Sequence, residues 1–541
     1  MSEEQELFKR LDRLNAIGVA LSAERDNKRL LEMILLGAKE ITNADGGTLY
    51  TVTDDHHLQF EIMRTQTLGI AMGGTTGKDI PFKPLPLYLE NGSPNLNMVA
   101  AYTVLNDKTV NIADAYEAEG FDFSGTRKFD QSTGYRSKSF LTIPMKNHEN
   151  EIIGVLQLIN AIDPVSGEIV AFSEANQRLV ESLASQAAVA LTNHNLIEGL
   201  KGLFEAFIEL IADAIDEKSP YTGGHCQRVP ELTMMLAEAA LKTNTGPLKD
   251  FALSDKEVYE LRIAAWLHDC GKVTTPESVM DKPTKLATIF DRIELVDQRF
   301  ELLKKQAECD MLRQQVTAAR SQKPVDMDSM ESDLNQRMRQ LDDDRDFLRN
   351  ANIGGEFMTP EHQQRVHDIA NYPLVDIHGR TVNFLNDDEV YNLNIARGTL
   401  TSEERTIINN HIVVTINMLE SLPYPKDLKR VPEYAGGHHE RMDGKGYPRG
   451  LTREQMSVPA RIMGIADIFE ALTSRDRPYK KAKTLSESLY ILGKMKLDNH
   501  IDPDLFDIFI REKIYLRYAE QFLEPEQIDT VNEAEIPGYV P

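Results

Sequence analysis

Five histidines and two aspartates stand out in this chain: His225, His268, Asp269, His411, His438, His439 and Asp467. Each sits in a local string that suits a metal ligand. Imidazole and carboxylate are the donors preferred by divalent Fe, Mn, Ni, Co or Zn. One carboxylate can bridge two cations, and two cations together can split a phosphodiester. The apolar run Leu261–Leu267 is predicted to be a helix that delivers His268-Asp269 into a core. Asp269 is the expected bridge and a catalytic residue. Lys272, three residues on, can face the same cavity and meet a phosphate or a leaving oxygen.

The other five residues need positioning elements of their own. His225 lies at the expected start of a helix in Tyr221–Val229, and His411 follows a helical pattern opened by Thr401-Ser402-Glu403-Glu404. His438 and His439 are adjacent, so on a helix they would diverge by about 100°. Both then reach one cluster only if it lies between them. Asp467 ends the apolar helical run Arg461–Ala466, where a buried acid needs a partner. For any one of these histidines alone, a packed or surface role competes, and the joint pattern decides for metal. The eight remaining histidines (His56, His57, His148, His194, His362, His367, His378 and His500) lack such contexts and are read as structural. Cys226 and Cys270 neighbour proposed ligands but should point away and pack.

The 541 residues allow two to four domains, and 41% hydrophobic content supports real cores. No run of eighteen apolar residues occurs, so no transmembrane helix or membrane insertion is expected. The opening MSEEQELFKR lacks an apolar signal core and predicts a cytoplasmic protein. Three cysteines without paired spacing fit a reducing compartment. A net charge of −25 disfavours DNA and anionic membrane as partners. Any nucleotide site must therefore bring its own local cations.

Helical periodicity over residues 8–44 precedes strand-like runs at 47–52, 139–144 and 152–160, with His148–Glu151 as a hairpin turn. A long helix is predicted from about Ser173. Residues 1–195 thus read as an α+β domain bounded by helices. Ile197, Leu200, Phe204, Phe207 and Ile211 alternate spacings of three and four, a coiled seam over 196–216. It predicts a parallel homodimer contact, with a core-packing helix as the duller alternative. The same spacing recurs through Leu286, Ile289, Ile293, Val296, Phe300, Leu303 and Ala307, then, after Ser321–Pro324, through Met330, Leu334, Met338 and Leu341. This predicts an antiparallel helical hairpin within an insertion at 283–398. The hairpin either binds a protein partner or is a spacer packed on itself. Residues 525–541 are acidic, carry three prolines and are expected to fray.

Residues 8–195 resemble a GAF domain, a small-molecule-sensing module, through Ala44–Tyr50, Val110–Tyr116, Ser139–Pro144 and Gly154–Asn160. Cyclic-nucleotide-binding members carry Asn-Lys, a distant Phe and Asp-Glu. Here Asn160-Ala161, Phe172 and Asn176-Gln177 take those places, so cyclic-nucleotide binding is not carried over. The GAF ligand is unknown, or the domain serves dimerisation without one.

The later region resembles the HD-GYP family, a branch of the HD phosphohydrolases. The carrying strings are His268-Asp269-Cys270-Gly271-Lys272, His438–Pro448, and Asp467–Ser474 with Arg477-Pro478-Tyr479-Lys480. The resemblance implies an all-helical, metal-dependent phosphodiesterase that cleaves cyclic di-GMP. It implies one cation held by His225, His268, Asp269 and Asp467, and another held by Asp269, His411, His438 and His439. Fe or Mn is the expected pair, with Ni, Co or Zn as alternatives. Lys272, Tyr447, Arg477 and Lys480 match substrate-contacting positions. Some members place a Glu four residues before the first histidine for a third metal. Tyr221 stands there, so two metals are expected.

The expected fold class is multidomain: an α+β GAF domain (1–195), a helical coiled linker (196–216), and an all-α HD-domain phosphohydrolase (217–524) with a coiled-coil hairpin insertion, then an acidic tail (525–541). The expected reaction opens cyclic di-GMP to linear pGpG, with a further cut to GMP left open, under control of the GAF sensor. The competing readings are hydrolysis of another cyclic dinucleotide, such as 3′,3′-cyclic GMP-AMP, and a non-catalytic cyclic-dinucleotide-binding scaffold.

Overall fold

The computed structural model describes residues 3–218, 224–321, 326–355, 357–475 and 482–540. They form two compact units, Met1–Phe204 and Glu205–Pro541. The division falls inside one continuous helix, Glu174–Lys218. Among the described residues no helix is long and apolar enough to cross a membrane.

The first unit is built on an antiparallel sheet. Its strand order is Ile70–Gly73, His57–Thr65, Ala44–Val52, Ile152–Ile162, Phe140–Lys146, Val110–Ile112. Period-two alternation sorts the two faces. On the Ile152–Ile162 strand, Leu156 and Leu158 join the core formed with Leu30, Ile34, Leu35 and Leu183 of the flanking helices. Gln157 and Ile159 point the other way, into a cavity of about 280 Å³. Gly47 permits the helix packing: a Cβ there would stand 2.8 Å from Leu35 Cδ1 and 2.9 Å from the Gln157 carbonyl oxygen. Aromatic rings of Tyr50, Phe60, Phe123, Phe129, Tyr135 and Phe140 line the cavity, and among the described residues no Lys, Arg or His does. Asn160 works as a backbone tie, accepting from Lys138 N (2.7 Å) and donating to the Arg136 carbonyl (2.8 Å).

Along the Glu174–Lys218 helix, Ile197, Leu200, Phe207 and Ile211 of the predicted seam are exposed, joined by Leu196, Leu203 and Leu210. Ile208, Ala212 and Ile215 are buried instead. Both sets keep helical spacing, and they occupy different faces of one helix.

The second unit is mostly helical. The helix Val458–Thr473 is apolar almost all round, and it packs against His225–Lys242. Within 283–398, helices Ile293–Arg320 and Met327–Ile353 lie antiparallel. Their direction is fixed by the ion-pair ladder Asp297–Arg349, Glu301–Arg345 and Lys304–Asp342 at 2.7, 3.1 and 2.6 Å. Phe300, Leu303, Leu341 and Leu348 form a core at the base with Val366, Ile369 and Phe384 from the following segment. That segment also holds a two-stranded ribbon, Thr381–Asn383 with Pro373–Val375.

Two expectations need revising. The hairpin seam does not begin at Leu286 and Ile289. The helix starts at Ile293, Leu286 precedes it and is buried in the same core as Val296, Phe300 and Leu303, and Ile289 is fully exposed. Residues 525–540 of the expected tail pack instead of fraying. Ile536 is buried, Gln527 donates to the Thr473 carbonyl at 2.8 Å, and the Pro537 carbonyl lies where a side chain on Gly493 would stand. Residues 322–325 of the predicted hairpin break lie outside the described residues.

Candidate metal centre

Each site residue comes from an element whose local sequence explains its place. Helix Asp255–Leu267 opens with a Ser254/Glu257 capping box and ends by presenting His268 and Asp269. The chain then makes a tight turn, Cys270–Thr274, against the His411 helix. Only glycine fits at 271: a Cβ would fall on the His411 carbonyl and the Thr415 nitrogen. Gly271 N instead donates to Thr415 Oγ1 at 2.9 Å. His411 opens helix His411–Glu420, His225 opens His225–Lys242, and Asp467 lies within Val458–Thr473. His438 and His439 do not lie on a helix as expected. They follow Val431–Gly436 in a turn, with ring centroids 4.1 Å apart, so both reach one centre without the helical divergence.

The seven residues form two groups among the described residues. One is His225, His268 and Asp467, and the other is Asp269, His411, His438 and His439. In each, the donor atoms lie within 4.8 Å of one another. Asp269 faces both. Its Oδ2 is 3.2 Å from His225 Nε2 and 3.3 Å from His268 Nε2, and its Oδ1 is 3.3 Å from His411 Nε2 and 4.0 Å from His438 Nε2. Asp467 Oδ1 lies 3.4 Å from His225 Nε2 and 3.8 Å from His268 Nε2.

Backbone carbonyls fix the tautomers. His268, His411 and His438 each donate Nδ1–H to the carbonyl three residues earlier, at 2.8, 2.5 and 2.6 Å. That leaves their Nε2 atoms aimed inward. Asp269 Oδ1, His268 Nε2 and His438 Nε2 are buried without a hydrogen-bond partner. Each unmet buried group costs about 1–3 kcal/mol. Converging imidazole nitrogens around a carboxylate fit divalent transition metals, so the donor set suits a cation pair.

The protein's own charges divide the titration of the site. Burial opposes charge everywhere here. Even so, Glu470, Asp269 and Asp467 hold His225 well above the ordinary imidazole value, and Asp269 lifts His268 to about 9. His438, buried beside His439 and His268, is held well below that value, and burial takes His439 to about 4. Both carboxylates resist burial and stay well below the usual range: Lys272 and His268 act on Asp269, and His225 and His268 act on Asp467. Lys272 Nζ lies 2.5 Å from Asp269 Oδ2, which keeps the ammonium charged despite burial. Burial pushes the Cys270 thiol up to about 11 and raises Cys226 further, so neither is a reactive thiolate.

Tyr447 stacks on His439, centroids 4.8 Å apart and planes 20° apart, at the rim of the centre. Its loop is held by Glu440, which accepts from Arg449 N (2.7 Å) and Leu451 N (2.9 Å). Glu440 escaped sequence reasoning, as did Glu470, which accepts from His225 Nδ1 at 2.5 Å and from Arg228 Nε at 2.7 Å. Glu470 carried one available signal, its place one helical turn after Asp467. Arg477, Lys480 and Tyr221 lie outside the described residues.

Comparison with known proteins gives two domain matches: the GAF domain over residues 26–191 and the HD domain over residues 387–505. The HD match contains His411, His438, His439 and Asp467. Among curated relatives, the 3′3′-cGAMP-specific phosphodiesterase 1 of Vibrio cholerae serotype O1 is 44% identical over 81 residues, 15% of this chain and 19% of that protein. The 3′3′-cGAMP-specific phosphodiesterase 3 of the same organism is 25% identical over 368 residues, 66% of this chain and 52% of that protein. A cyclic di-GMP phosphodiesterase of Thermotoga maritima is 35% identical over 126 residues, 21% of this chain and 34% of that protein. The chain thus spans about half or less of the length of these relatives.

Proposed function

For a chain that carries a GAF domain and an HD domain, we propose a cytoplasmic HD-GYP-type phosphodiesterase that opens cyclic di-GMP to linear pGpG under control of its GAF sensor. One observation carries this reading: Asp269 turns one oxygen to each of two donor clusters, and buried Nε2 atoms in both lack partners.

One cation would be held by His225, His268, Asp467 and Asp269, and the other by Asp269, His411, His438 and His439. A divalent pair, Fe or Mn by resemblance, supplies water activation and offsets charge on the phosphoryl oxygens. The chain's own residues do the rest. The Nδ1–H bonds to carbonyls keep His268, His411 and His438 from turning, so the donors stay aimed before substrate arrives. Lys272, held charged by Asp269, meets a phosphoryl oxygen and can give a proton to the departing 3′ oxygen. Water adds to phosphorus through its oxygen and gives up a proton, the P–O3′ bond breaks, the 3′ oxygen takes a proton from Lys272, and the proton released by water restores the ammonium. Tyr447 offers a flat half-buried face beside His439. Arg477 and Lys480, by resemblance, contribute cations that an acidic chain otherwise lacks.

The exposed stripe Leu196, Leu200, Leu203, Phe207 and Leu210 supports a parallel homodimer along the Glu174–Lys218 helix. The paired helices of 293–353 are read as a coiled hairpin, either a partner-binding arm or a spacer.

A second reading has a specific basis, since two relatives are named for 3′3′-cGAMP. Mn-loaded protein incubated separately with cyclic di-GMP and 3′,3′-cyclic GMP-AMP, with products separated by chromatography, decides between them. Faster conversion of cyclic di-GMP to pGpG is expected. Faster opening of the mixed dinucleotide reassigns the substrate. Binding of either without turnover leaves a scaffold.

A further inference from the structure

The site histidines are not supported alike. His268, His411 and His438 rest on neutral backbone carbonyls of Ala265, Ile408 and Ala435. His225 rests on a carboxylate, with Glu470 Oε2 taking its Nδ1–H at 2.5 Å. Glu470 is buried, 1% exposed, and its other oxygen is held by Arg228 Nε at 2.7 Å, so it cannot swing away. His225 is the first residue of its helix, and Gly224 ahead of it is left-handed at φ 82°. A carboxylate behind a ligating imidazole both fixes the tautomer and increases donation through Nε2.

We propose that Glu470 is a positioning residue that sets the affinity of one cation position only, the position of His225, His268 and Asp467. The inference rests on the two-cation reading above. It goes beyond that reading because it makes the two positions separable by a residue that touches neither substrate nor metal. Glu470 reaches the centre through His225. The His411–His438–His439 side has no corresponding carboxylate among the contacts of its Nδ1 atoms described above.

Titration of metal-free, full-length protein with Mn²⁺, followed by electron paramagnetic resonance and equilibrium dialysis, tests this. Wild type should take two equivalents and give the spectrum of a coupled pair. Glu470→Gln should keep one equivalent at wild-type affinity and lose about 10- to 100-fold at the other. At one equivalent it should show an isolated Mn²⁺ signal. Glu470→Asp, which keeps the charge but shortens the reach, should fall between, and it stands in if the Gln variant does not fold. A merely structural role predicts a lower melting temperature of the metal-free variant with both affinities unchanged, and that result overturns the proposal. Equal weakening of both positions overturns it as well. Failure of wild type to take two equivalents overturns the two-cation reading itself, and this inference with it.

Discussion

Replacing Asp269 by asparagine keeps the shape of the side chain and removes what the centre shares. The carboxylate gives Oδ2 to His225 and His268 at 3.2 and 3.3 Å and Oδ1 to His411 at 3.3 Å. An amide has one oxygen and one NH2, and the NH2 only donates. Whichever way it turns, one cluster loses its oxygen outright and the other keeps a neutral one. Loss of a supporting group alone costs a metal site 10- to 100-fold. The cluster that loses a direct donor should therefore lose at least about 100-fold, or about 2.8 kcal/mol. Turnover that needs both cations should fall below about 1% of wild type by the same factor. The metal-free fold pays less. Breaking a fully buried ion pair costs about 3–5 kcal/mol, but Lys272 is a fifth exposed and can turn toward water. The assay is metal content after dialysis by mass spectrometry, with dinucleotide hydrolysis and circular dichroism on the same sample. Two retained cations with wild-type turnover refute the shared-carboxylate argument.

Metal uptake should depend on pH with a definite sign. His225 and His268 are held above the ordinary imidazole value, the latter at about 9, so near neutrality both carry protons that a cation must displace. Affinity should rise between pH 6.5 and about 9, with proton release visible by calorimetry in buffers of different ionisation heat; a flat profile contradicts this. Gly271→Ala should destabilise by at least the about 1–3 kcal/mol typical of overpacking, because its Cβ meets the His411 backbone. Urea unfolding with metal content on the same sample checks this, and an unchanged midpoint refutes the close approach. Leu200→Asp with Leu203→Asp should convert a dimer to a monomer by light scattering, with each chain still able to bind Mn²⁺.

The seven residues that the fold brings together were legible because each lies in a short string of its own, most of them on or beside a helix, although His438 and His439 converge from a turn. What escaped depends on partners remote in sequence. Glu470 looks like any acid on a helix until His225, 245 residues away, is brought against it. Glu440 is the same kind of case, since its role is to hold a loop that only the fold closes. Periodicity misled over Leu286 and Ile289, which precede the helix that starts at Ile293: Leu286 joins the hairpin core from outside the helix, and Ile289 is exposed. It was also silent about which face of the Glu174–Lys218 helix stays open, because both faces keep a spacing of three and four. Composition misjudged the last segment. Its acids and prolines suggest fraying, while Ile536 is buried and Pro537 packs closely on Gly493.

The most direct measurement is anomalous diffraction from crystals of the Mn-loaded full-length protein. Two peaks should flank the Asp269 carboxylate, one among His225, His268 and Asp467 and the other among His411, His438 and His439. A single peak, or density away from Asp269, contradicts the paired centre on which the phosphodiesterase reading stands.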